Sequence, residues 1–179
     1  MHGLIFAGLR DFSIARLGEE GAASVWADRA FETTEVYEDE WFRAQVARIA
    51  AAAGATEEET QRAFGVFAAR RTFAGLYPGY YTANTDVFSF LLGIEEKIHE
   101  LVRATVPGAA PPKLHVQPFR DLGVLVSYTS ERGLCPLLEG LVTGTAEHYG
   151  DAVAIEQIQC QHHGDTGCVF TVVRAAPTE

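Results

Sequence analysis

The sequence predicts an α+β fold: a helical N-terminal half packed on a C-terminal antiparallel sheet, in the order strand–strand–helix–strand–strand. Three observations predict it. Up to about Val106, apolar residues recur at spacings of three and four. After the pair Pro111-Pro112 the period shortens to two. One further helical pattern, from about Cys135 to Tyr149, divides the alternating segments into two pairs. The 179 residues fit a single domain over 1–179, helical over about 1–110 and sheet over about 111–174.

Taken in order, Leu4, Ala7, Gly8, Leu9, Phe12 and Ile14 predict a short first helix. The acidic stretch 32–40 reads as a loop leading into a second helix. That helix starts at Asp39, carries Trp41, Phe42, Val46, Ile49 and Ala50, and ends at Gly54. Thr56 followed by Glu59 has capping-box spacing, in which hydroxyl and carboxylate satisfy free N–H groups at a helix start. The helix behind it carries Ala63, Phe64, Val66, Phe67 and Phe73 and ends before Pro78. The segment 86–92 is short and apolar, and Ile94, Ile98, Leu101 and Val102 mark another helix ending near Pro107. Leu114, Val116 and Phe119 then alternate, as do Val124, Val126 and Tyr128, with Asp121 and Gly123 suited to the hairpin between them. Two more alternating runs, 153–160 and 168–172, flank a turn at Gly164-Asp165-Thr166-Gly167.

Composition excludes several function classes. Fourteen basic against 24 acidic side chains leave a charge of −10, a field unsuited to nucleic acid. The apolar run 3–9 stops at Arg10, too short for a membrane span and without the features of a secretory signal. Three cysteines, an odd number with no export signal, read as reduced thiols in the cytoplasm. No Gly-x-Ser-x-Gly, phosphate loop or placed acid/base pair occurs, so no enzymatic role is expected. His148 and Asp151 read as a solvated helix end, and Glu95, Glu96 and Glu100 as the water-facing side of their helix.

Two sets of side chains carry chemistry. His99 sits at the edge of an apolar helical face, where neutral imidazole serves either as a metal ligand or as a half-buried hydrogen-bonding group. In Tyr128-Thr129-Ser130-Glu131-Arg132, strand alternation puts Tyr128, Ser130 and Arg132 on one side. A phenol, a hydroxyl and a guanidinium then point the same way and suit a ligand bearing carboxylates; the alternative is a solvated strand face.

Together with the opening Met1-His2-Gly3-Leu4-Ile5, the Phe90-Leu91…Ile98-His99 segment, the Pro-Pro pair and Gly140-Leu141, these residues resemble the heme–nitric oxide/oxygen binding family (H-NOX, HNOB). That family includes the sensor domain of soluble guanylate cyclase. The resemblance runs from Met1 to about Val172 and implies an H-NOX-like fold and a non-covalent heme b, since no Cys-x-x-Cys-His is present. It implies His99 as axial ligand, Tyr128, Ser130 and Arg132 as partners of the heme propionates, and Pro112 as the residue that presses on the porphyrin. Burying two propionates demands counter-charge and full hydrogen bonding, which these three residues supply. A neutral histidine on one face leaves the sixth iron position open to a gas.

Oxygen-binding members carry a tyrosine shortly after the motif. That position is Leu137 counted from Arg132, or Pro136 counted back from Gly140-Leu141, and neither donates a hydrogen bond. Ile5 and Leu141 add apolar wall. The implied ligand is therefore nitric oxide, with CO possible and O2 disfavoured. The resemblance further implies a cytoplasmic stand-alone gas sensor that signals to a separate protein such as a histidine kinase or cyclase, with neither nucleic acid nor membrane as partner.

Cys160 and Cys168 stand either side of a hairpin turn, with seven residues between them, and Cys135 opens the preceding helix. Zinc needs four N or S ligands, and three thiolates plus one imidazole would serve; the alternative is core-facing thiols with exposed loop histidines. The hairpin resembles that of vinyl-reductase-type domains, a zinc-binding pattern with a ligand three residues before the first hairpin cysteine. Here that residue is Gln157, a poor ligand, so the fourth donor falls to His163, His162 or Glu156. This opens two rival readings, a zinc-thiol redox sensor and a vinyl-reductase-type small-molecule binder without heme.

Overall fold

The computed structural model describes residues 1–26 and 30–176. Helix α1 (Gly3–Trp26) is longer than the short helix expected, because it is two helical runs joined across Gly18. There φ is 75°, a left-handed conformation that costs glycine little and breaks the apolar periodicity that a single helix would show. Helix α2 (Asp39–Ala53) and α3 (Glu57–Phe67) follow, the latter opened by the expected Thr56/Glu59 capping box. The chain continues through a π-helical stretch (Ala68–Phe73) into α4 (Ala74–Leu76), and Pro78 starts α5 (Pro78–Ala83).

Helix α6 (Val87–Ile94) is capped at Asp86, whose carboxylate accepts the Ser89 N–H at 2.7 Å. Asp151 caps the same terminus from across the fold, taking the Val87 N–H at 2.7 Å. His148 packs edge-on against Tyr81. The end of the long C-terminal helix thus touches the helical half, while His148 itself stays exposed as the polar residues there suggest. A second π-helical stretch (Glu95–His99) joins α6 to α7 (Glu100–Thr105).

Strands β1 (Lys113–Phe119) and β2 (Gly123–Thr129) form the expected hairpin, α8 (Cys135–Tyr149) crosses, and β3 (Val153–Gln159) and β4 (Cys168–Arg174) complete an antiparallel sheet of order β1-β2-β4-β3. One buried cluster joins the sheet (Val124, Val126, Phe170, Val172) to Phe88, Phe90 and Leu138. A second, aromatic cluster around Phe6, Trp41, Phe42 and Phe64 holds α1, α2 and α3 together. Helices α3 and α8 meet backbone to backbone. A Cβ on Gly140 would lie 2.1 Å from the Arg62 carbonyl oxygen, so this crossing tolerates only glycine. It presses α8 into the interior and aims Leu137 and Leu141 at the space between the two clusters.

Candidate heme pocket and thiol cluster

That space is a cavity of about 260 Å³ with a mostly apolar lining. His99, Pro112, Tyr128, Ser130, Arg132, Ile5, Leu137 and Leu141 all line it. Residues separated by more than a hundred positions are thereby brought to one wall. Of the two positions counted after the motif, Leu137 lines the cavity; Pro136 is buried at the start of α8 outside the lining.

His99 closes the second π-helical stretch, and its side chain is 16% exposed. Its Nδ1 lies 3.0 Å from Glu95 Oε2. An ionised carboxylate only accepts, so Nδ1 carries the proton and Nε2 keeps its lone pair. Burial lowers the His99 pKa from its ordinary 6.5, against the opposing pull of Glu95, and so favours the neutral ring. Glu95 is not the water-facing residue its position suggests. Its Oε2 also accepts the Leu114 N–H at 3.1 Å, and its Oε1 accepts from Arg103. Burial raises the Glu95 carboxyl, but these donors outweigh it and hold the pKa below its ordinary value. The signal for Glu95 lay in the sequence as an acid four residues before a histidine, a spacing at which helical side chains meet. Glu96 and Glu100 are the solvated ones.

Strand β2 ends at Thr129, so alternation does not carry Ser130 and Arg132 to the side of Tyr128. The turn 130–133, closed by Gly133 N–H to Ser130 C=O, brings them to the cavity instead. The Tyr128 oxygen accepts the Leu134 N–H at 3.1 Å and Ser130 Oγ accepts the Arg132 N–H at 3.2 Å, and the two hydroxyls are also linked to each other by a hydrogen bond. Arg132 donates through Nε to Asp39 Oδ2 at 2.8 Å and through a terminal nitrogen to the Ala110 carbonyl, leaving further N–H groups for a ligand. The phenols of Tyr80 and Tyr81, also in the lining, are spent on the carbonyls of Phe90 and Ala69.

The sequence matches the family described as haem-NO-binding (HNOB) over residues 2–157. The chain belongs to this family. Its fold is that of solved H-NOX proteins. An H-NOX protein from Shewanella oneidensis in the Fe(II)NO ligation state superposes with a TM-score of 0.90 at 24% identity, covering 98% of this chain and 100% of that one. The SO2144 H-NOX domain from Shewanella oneidensis in the Fe(II)CO ligation state gives 0.89 at 24% identity, with 99% and 100% covered. The Fe(II) unliganded H-NOX protein from K. algicida gives 0.85 at 19% identity, with 100% and 99% covered. No curated protein matches the chain.

Away from the cavity lining, the sulfurs of Cys135, Cys160 and Cys168 all lie within 4.8 Å of one another, the first two 3.9 Å apart. Cys160 belongs to the inner face because a bulge between Gln157 and Gln159 shifts the phase of β3 by one residue. Gln157 therefore shares that face and hydrogen-bonds the Cys135 thiol. Burial, only partly offset by Gln157, pushes that thiol up to about 12. The fold does not bring His163 to the sulfurs. The 3₁₀ turn Gln161–His163 carries it outward into solvent, while His162 donates its Nε2–H to the Gly133 carbonyl at 2.7 Å. Among the described residues, the three thiols stand as a group without a histidine or carboxylate.

Proposed function

We propose that this domain is a gas sensor that binds nitric oxide at a ferrous heme b held by His99, and that it signals to a separate protein. One observation carries the reading. A single apolar cavity has a neutral imidazole, a proline and the Tyr128–Ser130–Arg132 donors in its wall. The residues fit the group: an apolar enclosure for the porphyrin, a lone-pair nitrogen for the iron, and two hydroxyls and a guanidinium for two carboxylates. When bound at His99, the heme would supply an iron able to take a small diatomic gas.

The chain's own residues do the rest. Ile5, Leu137 and Leu141 keep the wall dry and offer no hydrogen bond, which suits NO and CO and leaves a partly charged dioxygen unsupported. The rival of a heme-free small-molecule binder leaves the donor triplet without a purpose. Release of His99 from the iron would free the stretch 95–99 and α7 to shift, and a partner would read that shift. Moving such a balance from 1:99 to 99:1 takes about 5.5 kcal/mol of differential affinity. The test is an absorption spectrum of the purified, heme-loaded protein. A Soret band that moves with NO and with CO, and no stable oxygenated form in air, is expected. A protein that takes up no heme, or one that is stably oxygenated, overturns the reading.

The clustered thiols favour a second activity: one zinc per chain, held by Cys135, Cys160 and Cys168. Three sulfurs within 4.8 Å suit three corners of a tetrahedron, with Gln157 or water at the fourth. Hydrogen peroxide, reduced to water, would take two electrons from two thiolates, join them as a disulfide and release the metal. Elemental analysis of protein purified without chelator is expected to find zinc, lost on peroxide treatment; metal-free protein rejects the site.

A further inference from the structure

We propose that Glu95 is the positioning residue for His99: its carboxylate fixes the ring tautomer and sets how firmly Nε2 holds a metal. The inference rests on the heme reading and concerns the strength of the bond that a gas must break.

The geometry carries the argument. Glu95 and His99 bound one π-helical stretch, and Oε2 takes the Nδ1–H at 3.0 Å. The carboxylate is held from two other directions, by the Leu114 N–H at 3.1 Å and by Arg103. Its side chain is 26% exposed where that of Glu96 is 73%. An acceptor fastened by three donors from its own helix, the following helix and β1 has little freedom, so the imidazole it holds has little either. Leu114 stands two residues beyond Pro112, so one carboxylate ties the imidazole to the segment bearing the cavity's proline.

The chemistry follows from charge. A carboxylate accepts more strongly than a neutral carbonyl. It draws the Nδ1 proton toward itself, leaves more electron density at Nε2, and makes that nitrogen a stronger ligand. Hydrogen bonding to the axial ligand is one of the levers that set the electronics of a bound iron. Glu95 should therefore strengthen the iron–histidine bond, favour the oxidised iron and raise the amount of gas needed to detach His99. Arg103 limits the effect by sharing the negative charge.

Glu95→Gln keeps the shape of the side chain and removes its charge. In the heme-loaded variant the iron–histidine stretching frequency is expected to fall and the midpoint potential to rise. Under saturating NO, the balance between attached and detached His99 should move toward detachment by roughly 10- to 100-fold, the usual cost of losing such a partner. Unchanged frequency, potential and coordination in a folded, heme-loaded Glu95→Gln protein overturn the proposal. A measurement on unsubstituted, heme-free protein keeps it falsifiable should the variant not fold or heme not bind. Imidazole ¹⁵N spectra are expected to show His99 protonated at Nδ1, and the Nε2-protonated tautomer overturns the proposal. Failure to take up heme alongside the expected tautomer would count against the gas-sensing reading and leave Glu95 as the partner of His99.

Discussion

The cavity and the thiol cluster are assembled in opposite ways. The cavity draws on α1, the 95–99 stretch, the segment before β1, the end of β2 and α8, and its central donor, His99, is already held by a partner. The cluster uses three residues at element ends, and its members face one another with the Gln157 amide and the Gln161 backbone N–H beside them. One site has its donor atom oriented before any ligand arrives. The other supplies three corners of a polyhedron and leaves the last to chance. Pre-orientation should make the first selective and the second tolerant of whatever soft ion or oxidant reaches it.

The largest test of that contrast is His99→Gly. In heme-loaded protein the Soret band should move and added imidazole should move it back; a spectrum indifferent to imidazole breaks the assignment of the donor. Cys168→Ala sharpens the other side. Cys168 is 1% exposed, and its loss should take the zinc content from one per chain to almost none, leaving the Soret band where it was. A shared loss of heme and zinc would show that the two sites are not separable.

A smaller effect is expected at the wall itself. Gly140→Ala puts a Cβ 2.1 Å from a backbone oxygen, an overpacking that costs about 1–3 kcal/mol. At roughly 2–4 °C per kcal/mol for a domain of this size, the thermal midpoint should drop by several degrees. Gly75→Ala, in helix α4 where a new Cβ meets nothing within 4 Å, should not lower it and should raise it by up to a few degrees. The smallest is the cap in front of the histidine segment. Asp86→Ala should cost about 1 kcal/mol at pH 7 by thermal or denaturant melt. The Asp86 pKa is lowered chiefly by the Ser89 N–H, so its contribution is complete above the ordinary value of 3.8 and fades as pH falls through the lower value in the folded protein. The difference between the two proteins should therefore close in strong acid and nowhere else.

The features that a sequence displays by periodicity were readable. Helices α2 and α8, the Thr56 cap and both hairpins lie where spacing put them, because each buries one face of a regular element. The continuation of α1 beyond Gly18 was hidden, since the left-handed residue breaks the apolar phase that would have joined the two helical runs. Glu95 was misread because an acid on an exposed-looking helix face is ordinarily solvated; a π-helical turn and two donors from elsewhere turned it inward. His163 was misplaced for the converse reason. Proximity in sequence to two cysteines said nothing of the 3₁₀ turn that points it outward. Tyr128, Ser130 and Arg132 do meet at the cavity, but by way of a turn whose closure spacing alone does not reveal.

The backbone-to-backbone crossing of α3 and α8 makes the enclosure mechanically lopsided. Leu137 and Leu141 ride on a helix that cannot retreat without dragging its neighbour, whereas α7, opposite in character, buries none of its residues. When something inside swells, tilts or lets go, yielding is cheapest where least packing is forfeited, so the compliant element is α7, directly after the stretch in which Glu95 holds the imidazole.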